Sequence, residues 1–328
     1  MRDALRDHFV GRARWKTLEW GFWLIPIALY FIPQSNLPLL SQVLVWGLFA
    51  FSLDLLLGYR GIPSLGHAAF FGIGAYAAGF LGKYGWTEPI SGLLVAALVA
   101  GLAGLATGRI VRKLHGLALL MVTLGLNMIL FDFALRSTDI TGGDDGLQGI
   151  VIAPVLGAFK FDMAGRTAYL YTLGVVFVCF VSVRALLKSP FGLALLGARE
   201  NPRRMMALGA PIEGDLTLTF GISAAIAGLA GALLTQTTQF VSPEALAFTR
   251  SADVLVMLVI GGGAVLYGGF IGAAIFLLMR DLLSAFNPIY WYFWIGLLLV
   301  VIVSTFRKGV LPTLAVTWAS WKVRRART

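Results

Sequence analysis

Charge is what this chain has least of. Asp, Glu, Lys and Arg together make 13% of its 328 residues, against about a quarter in soluble domains. No polar stretch is long enough to build a soluble domain, which sets aside an ordinary cytosolic enzyme. One cysteine, Cys179, excludes an internal disulfide, and its apolar surroundings read as a small buried hydrophobe. Three histidines and that cysteine do not make a zinc site. The GxxxxGKS/T phosphate loop, HExxH and GxSxG are all absent, so no nucleotide hydrolysis or hydrolase chemistry is expected from a known motif.

Apolar residues supply 58% of the chain, and mean hydropathy is +0.83. That balance fits an all-α integral membrane protein. Glycine is abundant, at 39 residues, as expected where membrane helices approach closely. The net charge of +10 does not imply nucleic acid, because the basic residues cluster beside apolar runs. The excess of Lys and Arg on cytoplasmic loops explains that pattern better.

The apolar runs give about ten segments: 18–32, 37–57, 65–82, 90–110, 115–135, 167–187, 216–240, 252–263, 267–285 and 290–306. The first follows a basic stretch, 1–17, with no small-x-small cleavage site after it, so it reads as an uncleaved span with a cytoplasmic start. The 252–285 stretch is either one bent span or two short segments meeting at its glycines. Basic ends decide: Arg60, Arg109, Arg112, Lys113, Lys188, Arg199, Arg203, Arg204 and the 307–328 tail all fall inside only with an even number of crossings. The expectation is one transmembrane domain over 1–328, with both termini cytoplasmic. An outside loop spans 137–166 and an inside loop 188–215. Segments 2–5 and 7–10 are candidate inverted halves, each with a small-residue helix near its start.

Three constellations carry candidate function. Ser64-Leu65-Gly66-His67 opens a helix thinned by Gly72 and Gly74, with Ser64 as its expected cap. Such a helix either packs tightly or borders a path for a solute, and His67 is either a packed residue or a solute contact. Asn127 and Asp253 join Ser64, His67, Gly72 and Gly74 as path candidates. Asp54 and Asp253 stand out among ionisable residues in or near spans, beside Asp132, Arg280 and Asp281. Thr141, Gly142, Asp144 and Asp145 form a turn-rich outer lip, either a solvated turn or a contact for a periplasmic partner. Ser189 to Gly209 reads as two short helices broken at Asn201-Pro202. They are suited to the membrane surface or to docking on a soluble partner.

Five ordered blocks within residues 40–306 resemble permeases of the branched-chain amino acid type of ABC importer. They are Ser64 to Tyr76, Thr141 to Leu147, Gly192 to Gly209, Ile222 to Leu233 and Met257 to Ala274. The outer glycine–aspartate loop is closer to the longer of the two permease subunits. Departures are Pro202, where an acidic or polar residue is usual, and Gly263 and Tyr267, where threonine and tryptophan are usual. The resemblance implies a non-enzymatic pore half in a bacterial inner membrane, with no cofactor of its own. It implies a second permease subunit, ATP-binding subunits that bind the ATP, a periplasmic solute-binding protein and lipid as partners, and no nucleic acid. It assigns the coupling role to Ala198, Arg199, Glu200, Asn201, Leu208 and Gly209. A stand-alone secondary transporter is the competing reading, to be recognised by coupling-ion carboxylates and no docking loop. A membrane enzyme would need clustered His, Asp or Glu at an interface.

Overall fold

In the computed structural model, residues 17–32, 36–162, 164–286, 288–305, 309, 311 and 313 are described. The basic residues of the 1–16 stretch and of the tail from Arg307 onward lie outside them.

The first five long helices are α1 (Thr17–Tyr30), α2 (Leu37–Asp54), α3 (His67–Lys83), α4 (Pro89–Val111) and α5 (Leu117–Arg136). After a long loop come α6 (Arg166–Lys188) and the short α7 (Pro190–Glu200) and α8 (Pro202–Ala207). Then come α9 (Ile212–Thr238), α10 (Phe248–Gly261), α11 (Gly268–Phe286) and α12 (Trp291–Thr305). Each of the ten expected segments falls on a helix, and the described residues contain no strand. By length and composition, six helices among the described residues can cross a membrane: α2 with its continuation to Tyr59, α4, α5, α6, α9 and α11.

Local sequence sets the ends. Asn36 accepts a hydrogen bond from the Leu39 amide at 3.3 Å to open α2, and Glu88 accepts from the Ser91 amide at 3.2 Å before Pro89 opens α4. These are ordinary caps for the free amides of a first turn. The 252–285 stretch is two helices, not a bent one. Gly262 and Ala264 have positive φ, 103° and 60°, and turn the chain back. Past the turn, a Cβ on Gly272 would strike the Met257 carbonyl and one on Gly261 the Gly268 carbonyl. Only glycine permits so close a hairpin.

Packing follows a pattern of exchanged partners. α4 lies on α9 as α11 lies on α2; α3 lies on α9 as α10 lies on α2; α3 meets α4 as α10 meets α11. The outer contacts match as well, α3 with α5 and α10 with α12. α2 and α9 meet each other at the centre and are the most enclosed of the long spans. This is the two-halved arrangement expected of segments 2–5 and 7–10. α3 and α10 occupy corresponding places in the two halves.

Candidate functional site

The starts of α3 and α10 meet in the middle of the bundle. Chain 60–66 leads into α3, which begins at His67 with Gly66 as its cap residue. Ser64 is not the cap: its hydroxyl is buried and has no hydrogen-bond partner. The free first-turn amide of Ala68 is met instead by the Ser251 hydroxyl of α10, at 2.8 Å. The residue that caps α3 thus comes from the other half, 183 positions away, beyond any local signal.

His67 is fully buried and stacks on Phe49, with ring centroids 5.6 Å apart and planes at 9°. Its Nε2 lies 2.9 Å from the Ser52 hydroxyl and 3.5 Å from that of Ser223. Ser52 has one hydroxyl proton and gives it to the Phe49 carbonyl at 2.6 Å. His67 therefore donates from Nε2, and its Nδ1 is left as a bare acceptor with no partner. On α5, Asn127 donates to the Leu246 carbonyl at 2.9 Å, while its Oδ1 is also unmatched. Ser64, His67 and Asn127 each bury a polar atom without a partner, which is uncommon in a packed interior.

The glycines on α3 are packing positions. A Cβ on Gly74 would strike the Gly228 backbone of α9, and one on Gly72 the side chain of Leu246. Gly231 of α9 faces the Phe71 carbonyl in the same way. That face is therefore filled by protein, and helix contact accounts for its thinness.

Beside this centre is a cavity of about 150 Å³, walled by Trp46, Phe71 and Ala75. Arg250 and Glu244 also border it. The Arg250 guanidinium lies 5.4 Å from the Trp46 ring centroid. It pairs with Glu244 at 2.8 Å and with Asp253 at 3.8 Å. Trp46 is nine residues into α2, roughly 14 Å along it at the helical rise. The charged group therefore lies well within the bundle. Both Arg250 and Asp253 keep about a quarter of their side chains exposed. A charged group facing lipid is costly, so this face is suited to water or protein. Asp253 was legible as a candidate; Arg250, Glu244 and Trp46 were not, because the ion pair forms only when the segment after α9 folds back.

At the opposite end of α2, the helix widens into a π-turn, Leu55–Tyr59. Asp54, fully buried, accepts a hydrogen bond there from the Ala264 amide at 2.7 Å, which holds the α10–α11 turn. Arg199 of α7 donates to the Gly58 carbonyl in the same turn. Arg199 is thus anchored within its own chain, and Ala198 and Leu195 are buried there too. Asn201 ends α7 with its amide bonded to Gly197 and opens α8 by accepting from the Arg204 amide at 3.0 Å. Pro202 fits because the first helical position needs no amide. Gly209, at φ +83°, lets the chain leave. Glu200, Met206 and Leu208 are exposed, with Leu208 at 73%.

In the loop after α5, the buried Thr141 hydroxyl shares its one proton between the carbonyls of Ala134 and Ser137, at 2.6 and 2.7 Å. Gly142 and Gly146 have positive φ, and Leu147 and Val241 form an isolated antiparallel bridge. Thr141 and Gly142 therefore shape the loop, while Asp144 and Asp145 face outward. Among the described residues, no group of three or more His, Cys, Asp or Glu stands together as a metal site.

Two exchanged halves built on long apolar helices around a polar centre define a multi-pass membrane protein. The profile described as branched-chain amino acid transport system / permease component matches residues 36–303. The chain belongs to that family. It is 30% identical over 306 residues to the high-affinity branched-chain amino acid transport system permease protein LivM of Salmonella typhimurium, covering 86% of this chain and 71% of that one. The Escherichia coli LivM matches at 30% over 310 residues, with the same two shares. A probable branched-chain amino acid transport permease protein LivM of Methanocaldococcus jannaschii is 26% identical over 330 residues, covering 84% of this chain and 94% of its own length. No solved structure matches the chain.

Proposed function

We propose that the chain is one permease subunit of an ATP-driven importer for branched-chain amino acids. It pairs with a second permease in the bacterial inner membrane and receives solute from a periplasmic binding protein. Cytoplasmic subunits bind the ATP, and the chain needs no cofactor of its own. Family membership and the relatives' names support the substrate class. The observation that carries the drive is the α7–α8 loop, which leaves Met206 and Leu208 bare while Arg199 ties it to the turn after α2. Through Asp54 that turn is joined to the α10–α11 turn, so a push on the loop reaches both halves. The solute path is assigned to the side bearing Ser64, His67, Asn127 and Asp253. Asp144 and Asp145 are assigned to the binding protein.

Orientation is tested by labelling single cysteines in a Cys179→Ser background. Asp144→Cys is expected to react with an impermeant maleimide in intact cells, and Glu200→Cys only after permeabilisation. The reverse pattern inverts the topology and removes the docking assignment.

Docking is tested by Leu208→Asp in a reconstituted system. Burying a leucine is worth about 1.5–3 kcal/mol, so uptake and solute-stimulated ATP hydrolysis are both expected to fall about tenfold or more. Glu200→Ala is expected to reduce both by a smaller factor. If both variants run at the native rate, the loop is a free surface and this reading of it fails.

A further inference from the structure

The cavity over Trp46 presents three chemistries side by side: a cation, an anion and an apolar wall. Arg250 is steadied by the Trp46 ring below it and by Asp253 at 3.8 Å. Glu244 meets it at 2.8 Å, yet 73% of the Glu244 side chain is exposed, so Glu244 can swing away while the guanidinium stays. Trp46, Phe71 and Ala75 form the wall, and Thr238 stands at the rim. The space, about 150 Å³, holds on the order of ten waters. A few convergent polar groups on an apolar surface are the usual make-up of a small-molecule site.

We propose that this cavity binds a zwitterionic amino acid with an apolar side chain. The solute carboxylate replaces the Glu244 carboxylate on Arg250, where an ionised donor and acceptor make a strong hydrogen bond. The released Glu244 carboxylate takes the solute ammonium, and the side chain lies along Trp46, Phe71 and Ala75. The resting ion pair is thus exchanged for two, and a solute lacking either charge satisfies only one of them. The inference deepens the importer reading and rests on it for the solute class.

The test uses the two-permease complex in nanodiscs, with Thr238→Cys in a Cys179→Ser background. The rate of maleimide modification is followed with three probes: leucine, leucinamide, which lacks the carboxylate, and 4-methylpentanoate, which lacks the ammonium. Saturating leucine is expected to slow the reaction at least fivefold, and the other two less than twofold. Adding Arg250→Gln or Glu244→Gln is expected to abolish the leucine effect. If Arg250→Gln does not assemble, the exposed Glu244→Gln decides alone. Equal protection by all three probes, no protection by leucine, or full protection in Glu244→Gln overturns the site. Leucine uptake by the complete system is read separately. A system that takes up no leucine defeats the importer reading. A system that takes it up without leucine protecting position 238 defeats only this site.

Discussion

Gly74→Leu is expected to leave no folded chain to assay. The missing Cβ at Gly74 faces the Gly228 backbone of α9, and Gly231 faces the Phe71 carbonyl one turn away. Two backbones in contact cannot yield as a flexible side chain does. Even modest overpacking costs about 1–3 kcal/mol, and a leucine here adds four carbons against main chain. Gly74→Ala is expected to lose about 1–3 kcal/mol and to survive extraction with a lowered unfolding midpoint. Gly125→Leu, where a Cβ meets nothing within 4 Å, is the control and is expected to behave as the native chain. Size-exclusion profiles after detergent extraction read all three. A monodisperse Gly74→Leu variant that fails only in uptake would return that glycine to the path, which is what the sequence alone suggests for it.

Removing the carboxylate of Glu19 is expected to be the most destabilising change of a polar side chain. Glu19 lies in the first turn of α1 and receives Arg184 of α6 at 2.6 Å and Lys188 at 3.7 Å. The Glu19 and Arg184 side chains are 9% and 6% exposed. Forming a buried pair adds little net stability, since desolvation opposes attraction, but removing one member of it costs about 3–5 kcal/mol. Glu19→Ala is expected to show that loss in thermal unfolding. Glu19→Leu combined with Arg184→Leu is expected to recover most of it, with Lys188 reaching the surface along its flexible stem. Near-native stability for Glu19→Ala alone would mean that the pair is solvated.

The helices were legible because each apolar run announces itself, and the two-helix reading of 252–285 followed from its glycines and from where the basic residues fall. What was not legible depends on distant groups. Ser64 stands where a cap is expected locally, yet Ser251 supplies it across the bundle. Arg199 sits in a loop that reads as a partner surface, yet its own chain offers the Gly58 carbonyl. Nothing local points from Glu19 to Arg184, which lies 165 positions away in sequence. Asp54 was visible as an ion in an apolar run, but its partner, the Ala264 amide, lies 210 positions away. Asp132 proved local, paired with Arg136 at 2.8 Å one turn on.

The exchanged packing of the two halves also limits how the subunit can move. α9 belongs to the second half but is sheathed by α3 and α4, and α2 belongs to the first but is sheathed by α10 and α11. Each half is threaded through the other, so neither can rock as a free body without tearing backbone contacts such as Gly74 on Gly228. Packed interiors switch between discrete arrangements rather than deform smoothly. Movement within the subunit therefore falls to parts outside this interlock, such as the exposed Glu244 side chain; on the importer reading proposed above, the larger motion is the chain as a whole tilting against its partner.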